Sequence, residues 1–174
     1  QHGDALALIE NGRERNWREF EQHTLRASRW LAEQGVGPGD HVAVWLANHW
    51  EWLVLLVALA RRGACLVTVN TRYRSSELHH ILQKSGACML IYEPSFHKID
   101  FAQVLAGVNL AELPALKTLA VLRAASDAPA TGPGGLRQVR CDFEGLLPLA
   151  EDLSDPNAPM MLFTTSGTTK GPKL

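Results

Sequence analysis

Three short apolar runs divide the first half of the chain at nearly even intervals. They are His41–Leu46 (HVAVWL), Cys65–Val69 (CLVTV) and Ala87–Tyr92 (ACMLIY), with 24 and 22 residues between successive starts. One helix-patterned stretch fills each interval. Strand–helix–strand alternation of this length predicts parallel strands joined by right-handed crossovers. The runs are almost continuously apolar, as expected when helices cover both faces of a sheet. The expected fold class is therefore α/β, a three-layered, mostly parallel sheet flanked by helices.

The punctuation supports this reading. Asn11-Gly12 between Leu6–Ile9 and the following residues predicts a tight hairpin. Asn16-Trp17-Arg18-Glu19 has the form of a capping box, so a helix is expected over 17–34, with Gly35 ending it. Asn48-His49-Trp50-Glu51 repeats that form ahead of a helix reaching Arg62. Ser75 or Ser76 is expected to cap a third helix, with Leu78, Ile81 and Leu82 inward and Gly86 closing it. A fourth helix is expected over 96–105, a strand over 118–122, a helical turn over 146–153 and a strand over 160–164. Residues 123–140, rich in Ala, Gly and Pro, read as an exposed mobile loop, with a domain boundary as the competing reading.

Composition excludes several classes. Seventeen basic and eighteen acidic side chains give a net charge of −1, which is not the footprint of a general nucleic-acid binder. The longest apolar run, Trp52–Ala60, is far short of the ~20 residues a membrane span needs, so no transmembrane segment is expected. Cys65, Cys88 and Cys141 form no CxxC pair, which argues against a cysteine zinc site or disulfide framework and favours a reducing, cytoplasmic location. Adjacent His79 and His80 diverge by about 100° on a helix and read as surface residues rather than metal ligands. Trp45, Trp50 and Trp52 read as core rather than a stacking platform. Arg72, Tyr73 and Arg74 read as a solvated turn.

Residues 164–173 carry the chemistry. Thr-Thr-Ser-Gly-Thr-Thr-Lys-Gly-Pro-Lys packs five hydroxyls, two glycines and two lysines into one stretch. Glycines allow sharp turns and close approach to a ligand, and successive N–H groups in such a turn form an anion-binding hollow. Lys173 can add a point charge for phosphate. The stretch is not the P-loop G-x-x-x-x-G-K-[ST], because three residues separate Gly167 from Gly171 and proline follows. The physical reading is a loop that wraps a polyphosphate. The bland alternative is a polar loop that solvates a strand end.

The stretch Leu162–Lys173 resembles the signature loop of the adenylate-forming superfamily, usually Thr-Ser-Gly-Thr-Thr-Gly-x-Pro-Lys-Gly. Lys170 stands where Gly or Ser is usual, and Leu174 where Gly is usual. Gly35–Ala43, Ala47–Trp52, Arg62–Ala64 and Val69–Tyr73 with Glu77-Leu78 are similar to other stretches of that family. The Asn70–Tyr73 stretch leans toward acyl-CoA synthetases.

The resemblance implies a two-step reaction: a small-molecule carboxylic acid and Mg2+-ATP give an acyl-adenylate and pyrophosphate, then coenzyme A takes the acyl group. It places Thr165, Ser166, Gly167, Thr168, Thr169, Lys170, Gly171 and Lys173 at the ATP phosphates. The adenine-binding segment, magnesium ligand, ribose-binding aspartate and catalytic lysine of such enzymes lie further downstream. The expectation is thus an incomplete N-terminal domain over 1–174, cut just after the phosphate loop. A short stretch before Gln1 and the C-terminal domain would be absent, and the segment alone would have no catalytic residue and no activity. A peptide-synthetase adenylation domain and a non-catalytic anion-binding α/β module are the alternatives. The acid activated and the oligomeric state are left open.

Overall fold

The computed structural model describes residues 2–96, 98–124 and 129–165. The chain opens with β1 (Leu6–Glu10) and β2 (Arg13–Asn16), an antiparallel hairpin. Its turn uses Asn11 at φ 49° and Gly12 at φ 78°, the left-handed pair that suits a two-residue hairpin loop. Helix α1 (Trp17–Glu33) begins at the expected capping box. Asn16 Oδ1 accepts the Glu19 N–H at 2.8 Å, and the Glu19 carboxylate accepts the Asn16 N–H at 3.0 Å.

The alternating elements follow as β3 (His41–Trp45), α2 (Trp50–Arg61), β4 (Cys65–Thr68), α3 (Ser75–Ser85) and β5 (Met89–Tyr92). Then come the two-residue strands β6 (Ser95–Phe96) and β7 (Ile99–Asp100), helix α4 (Phe101–Ala106), β8 (Thr118–Leu122), β9 (Arg137–Cys141) and β10 (Met161–Leu162). The main sheet has six strands in the order β10-β4-β3-β5-β8-β9, and every pairing is parallel.

Successive side chains of a strand face opposite ways, and β3 shows the consequence. Val42 and Val44 pack with Leu31 of α1 and with Val54, Leu55 and Leu59 of α2. Ala43 and Trp45 face Leu78, Ile81 and Leu82 of α3 and Phe101 and Leu105 of α4. The sheet therefore separates two cores, and the architecture is the expected three-layered α/β. Trp45 is fully buried with its ring 4.4 Å from that of Phe101, and Trp50 is also buried, in keeping with a packing role.

Several local expectations fail for identifiable reasons. Asn48 does not cap α2. His49 occupies that position without a side-chain cap bond, and Glu10, from the hairpin, accepts the Trp50 N–H at 2.8 Å. Neither Ser75 nor Ser76 caps α3. The cap is Arg74, whose N–H donates to Glu77, while the Ser75 hydroxyl donates to the Val104 carbonyl. The fourth helix starts at Phe101 rather than near 96, because Asp100 caps it by accepting the Gln103 N–H.

The stretch 123–140 is not all loop. Residues 125–128 lie outside the described set, but β9 pairs with β8 from Thr118↔Arg137 to Leu122↔Cys141, which also removes the domain-boundary reading. Residues 146–153 form no helical turn. They run as a strap, with the Leu149 N–H on the Leu25 carbonyl and the Leu153 N–H on that of Arg61. Bonds made outward to α1 and α2 leave those groups unavailable for a local helix. Tyr73 is buried against the α3 side of the core rather than solvated.

Candidate functional site

In an open parallel sheet, ligands bind where loops leave the carboxyl ends of the strands, beside the point at which strand order reverses. Here the chain places β4 on one side of β3 and then β5 on the other. The reversal lies between β3 and β5, so the loops after Trp45 and Tyr92 and those after β4 and β10 share one edge.

Strand β10 delivers the hydroxyl-rich stretch to that edge. Met161 pairs with Leu66 and Leu162 with Val67, and the Leu66 N–H donates to the Met160 carbonyl. The Thr164 N–H then donates to Thr68 Oγ1 at 3.1 Å. That bond pins the main chain beside the end of β4 and leaves the next residue, Thr165, exposed. Of the residues assigned to the phosphates from sequence, Thr165 is described and stands at the carboxyl edge. Ser166, Gly167, Thr168, Thr169, Lys170, Gly171 and Lys173 lie outside the described residues. The neighbouring turn is braced by Asn70, whose carbonyl accepts from the Trp45 indole at 3.2 Å and from the Tyr73 N–H at 3.0 Å. Asn70 Oδ1 accepts the Arg72 N–H at 2.9 Å.

A second polar group sits at the reversal itself and was not singled out from sequence. Glu93, the residue after β5, is 5% exposed. One carboxylate oxygen accepts the Ala47 N–H at 2.6 Å, and the other is 3.0 Å from His49 Nε2. Its only sequence signal is an acid set directly after an apolar strand, where a solvated loop would be the ordinary reading. His49 lies between Glu93 and the hairpin residue Glu10 at the start of α2, beside Glu51. A cleft of about 330 Å3 opens there, lined by Leu8, Ile9, Glu10, His49, Trp50 and Leu53 among others.

The cysteines are unsuited to nucleophilic work. Burial pushes the Cys88 thiol up to about 11, with Asp40 adding to the effect. Burial also raises the thiols of Cys65 and Cys141, the latter with Glu51 and Asp142 contributing. A thiol held protonated is a poor nucleophile. The His79 imidazole is 3.5 Å from the Glu112 carboxylate. Among the described residues, no helix is long and apolar enough to cross a membrane.

Comparison with known proteins agrees with this architecture. A propanoyl:CoA ligase of Mycobacterium tuberculosis, named for a methyl-dioxo-octahydroindenyl acid, is 35% identical over 176 aligned residues, covering 97% of this chain and 33% of its own length. The 3-oxocholest-4-en-26-oate–CoA ligase of Rhodococcus rhodochrous is 30% identical, covering 98% of this chain and 29% of its own length. The chain thus spans about a third of the length of these relatives. The crystal structure of the anthranilate CoA ligase AuaEII with anthranoyl-AMP superposes with a TM-score of 0.76 at 24% identity, over 98% of this chain and 31% of that one. That likeness shows a shared fold. The profile of the family described as AMP-binding enzyme matches residues 1–174 from end to end, and the chain belongs to that family.

Proposed function

We propose that these residues are the N-terminal part of an AMP-forming carboxylate–CoA ligase, working in the cytoplasm, and that they supply its grip on the ATP phosphates. In the first step a carboxylate oxygen attacks the α-phosphorus of ATP. The bond to the β-phosphate oxygen breaks, and pyrophosphate leaves with the charge. In the second, the thiol of coenzyme A attacks the acyl carbonyl, AMP leaves and the thiol proton passes to solvent.

Negative charge accumulates on the departing pyrophosphate, so donors aimed there lower the barrier. Thr165, Ser166, Thr168 and Thr169 offer hydroxyls, Gly167 and Gly171 permit the bend, and Lys170 and Lys173 supply positive charge. Mg2+ would neutralise phosphate oxygens, and on this reading its acidic ligand belongs to chain outside this segment, as does the acyl pocket. The segment is then one portion of the machinery, inactive by itself.

The observation that carries this reading is the delivery of Thr164 and Thr165 to the carboxyl edge by a strand whose end is tied to Thr68. The names of the relatives favour coenzyme A over a carrier-protein thiol as acceptor. Because two of those names specify polycyclic acids, such carboxylates belong in the test beside fatty acids. The full-length protein is incubated with Mg2+, labelled pyrophosphate, ATP and each acid, and exchange into ATP is counted, followed by thiol consumption on adding coenzyme A. Acid-dependent exchange and acid-dependent loss of free thiol are expected. Exchange without thiol consumption would point to a different acceptor, and ATP binding without exchange for any acid would support a non-catalytic module.

A further inference from the structure

We propose that Glu10, His49 and Glu51 bind one divalent first-row transition ion, as a staple that holds the hairpin to the start of α2. This inference does not depend on the phosphate loop. One donor atom from each of the three residues lies within 4.8 Å of the other two. They come from separate places in the chain, the end of β1, the cap of α2 and its first turn.

Each also makes a polar contact with a neighbouring residue. Glu10 Oε1 accepts the Trp50 N–H at 2.8 Å, His49 Nε2 is 3.0 Å from the Glu93 carboxylate, and Glu51 Oε1 accepts from Arg123 at 3.1 Å. Hydrogen bonds of this kind, a carboxylate on histidine above all, are what orients metal ligands. The second His49 nitrogen makes no hydrogen bond to any described residue.

A separate observation points to a ligand. Glu51 Oε2 is shut off from solvent and has no hydrogen-bond partner among the described residues. An acceptor left in that state costs free energy unless something occupies it. Glu51 pairs with Arg123 at 3.1 Å, and Arg15 lies 3.9 Å over the Trp50 ring. One imidazole nitrogen with two carboxylate oxygens suits zinc, manganese or cobalt better than the all-oxygen shells of calcium and magnesium. Bonds of about 2.0–2.2 Å put ligand atoms roughly 3.5 Å apart, so the donors have to close by about 1 Å, within reach of two flexible glutamates.

Zn2+ is titrated calorimetrically into the nucleotide-free protein, and the visible absorption of a Co2+ adduct is recorded. One equivalent of Zn2+ is expected, with a rise in melting temperature and Co2+ bands of a nitrogen–oxygen site of low coordination number. His49→Ala and Glu51→Gln each lower the affinity at least tenfold, whereas a His79→Ala/His80→Ala control leaves it unchanged. Glu10→Gln keeps an oxygen for the Trp50 N–H, so it tests ligation with little risk to folding, and circular dichroism confirms that each variant is folded. Absence of Zn2+ binding, or binding that survives Glu10→Gln, His49→Ala and Glu51→Gln together, overturns the proposal.

Discussion

Glu93 shows how much one side chain can hold at the sheet's carboxyl edge. It is buried, and both of its oxygens are used, one on the Ala47 N–H and one on His49. Removing a partner from a buried charged network leaves the other groups desolvated and unmet, which costs more than the bond itself was worth. Glu93→Ala should therefore destabilise the protein by ~3 kcal/mol in urea unfolding. Glu93→Gln, which keeps an acceptor for Ala47, should cost about 1 kcal/mol. Equal losses would mean that the amide acceptor contributes nothing. His23 gives a pH dependence. Burial, with Arg26 and Arg15 nearby, holds its imidazole below the ordinary 6.5, while Glu144 and Glu19 oppose the shift. A basic group whose folded-state value is lowered takes up its proton first in the unfolded chain. Its contribution is therefore present above about 6.5 and is lost as pH falls through and below that value. Unfolding midpoints measured from pH 8 to pH 5 should decline less steeply in His23→Gln than in the parent.

At the scale of elements, Gly12 and Gly63 separate two costs. Both have positive φ, 78° and 67°, but a Cβ at Gly12 would meet nothing within 4 Å, whereas at Gly63 it would lie 2.8 Å from the Leu153 carbonyl oxygen. Gly12→Ala bears backbone strain alone, about 1 kcal/mol, and Gly63→Ala adds a clash with the strap that crosses the end of α2. Gly63→Ala should therefore be the more destabilising by at least ~1 kcal/mol in the same denaturation assay. A larger loss at Gly12 would contradict that ranking. The contrast also explains what was legible. Asn11-Gly12 and Asn16–Glu19 form bonds among near neighbours, and both were readable because their geometry is set locally. The cap of α2 was not, since its acceptor, Glu10, is forty residues away. Strand β9 was hidden for a related reason. Its sequence RQVRC offers one partly buried valine and one buried cysteine among polar residues, the profile of an edge strand defined by its neighbour β8 rather than by its own composition.

Across the whole molecule, the two cores were foreseeable, because helices alternating with apolar parallel strands cover both faces of a sheet, whereas the reversal of strand order was not, since alternation alone does not say on which side of β3 each later strand pairs. The candidate site divides along the same line. The hydroxyl-rich stretch was visible as composition, whereas the Glu93–His49 pair depends on β3 and β5 lying side by side, which no local pattern announces. What the fold does with the stretch is to start it from a pinned point. Thr164 is tied to Thr68, and Thr165 beyond it is exposed. If the loop stabilises charge on departing pyrophosphate, its residues should matter for the half-reaction in which that charge appears and far less for the one in which it does not. Lys173→Ala in the full-length protein should slow acyl-adenylate formation by roughly 10²–10³-fold, with Thr165→Val slowing it less, since one neutral donor is removed rather than a charge. Transfer from preformed acyl-adenylate to coenzyme A, followed in single-turnover mode, should fall by no more than a few-fold. Equal slowing of both half-reactions would instead place Lys173 at a group common to the two, such as the nucleotide α-phosphate, and would remove pyrophosphate stabilisation as the reason for the loop.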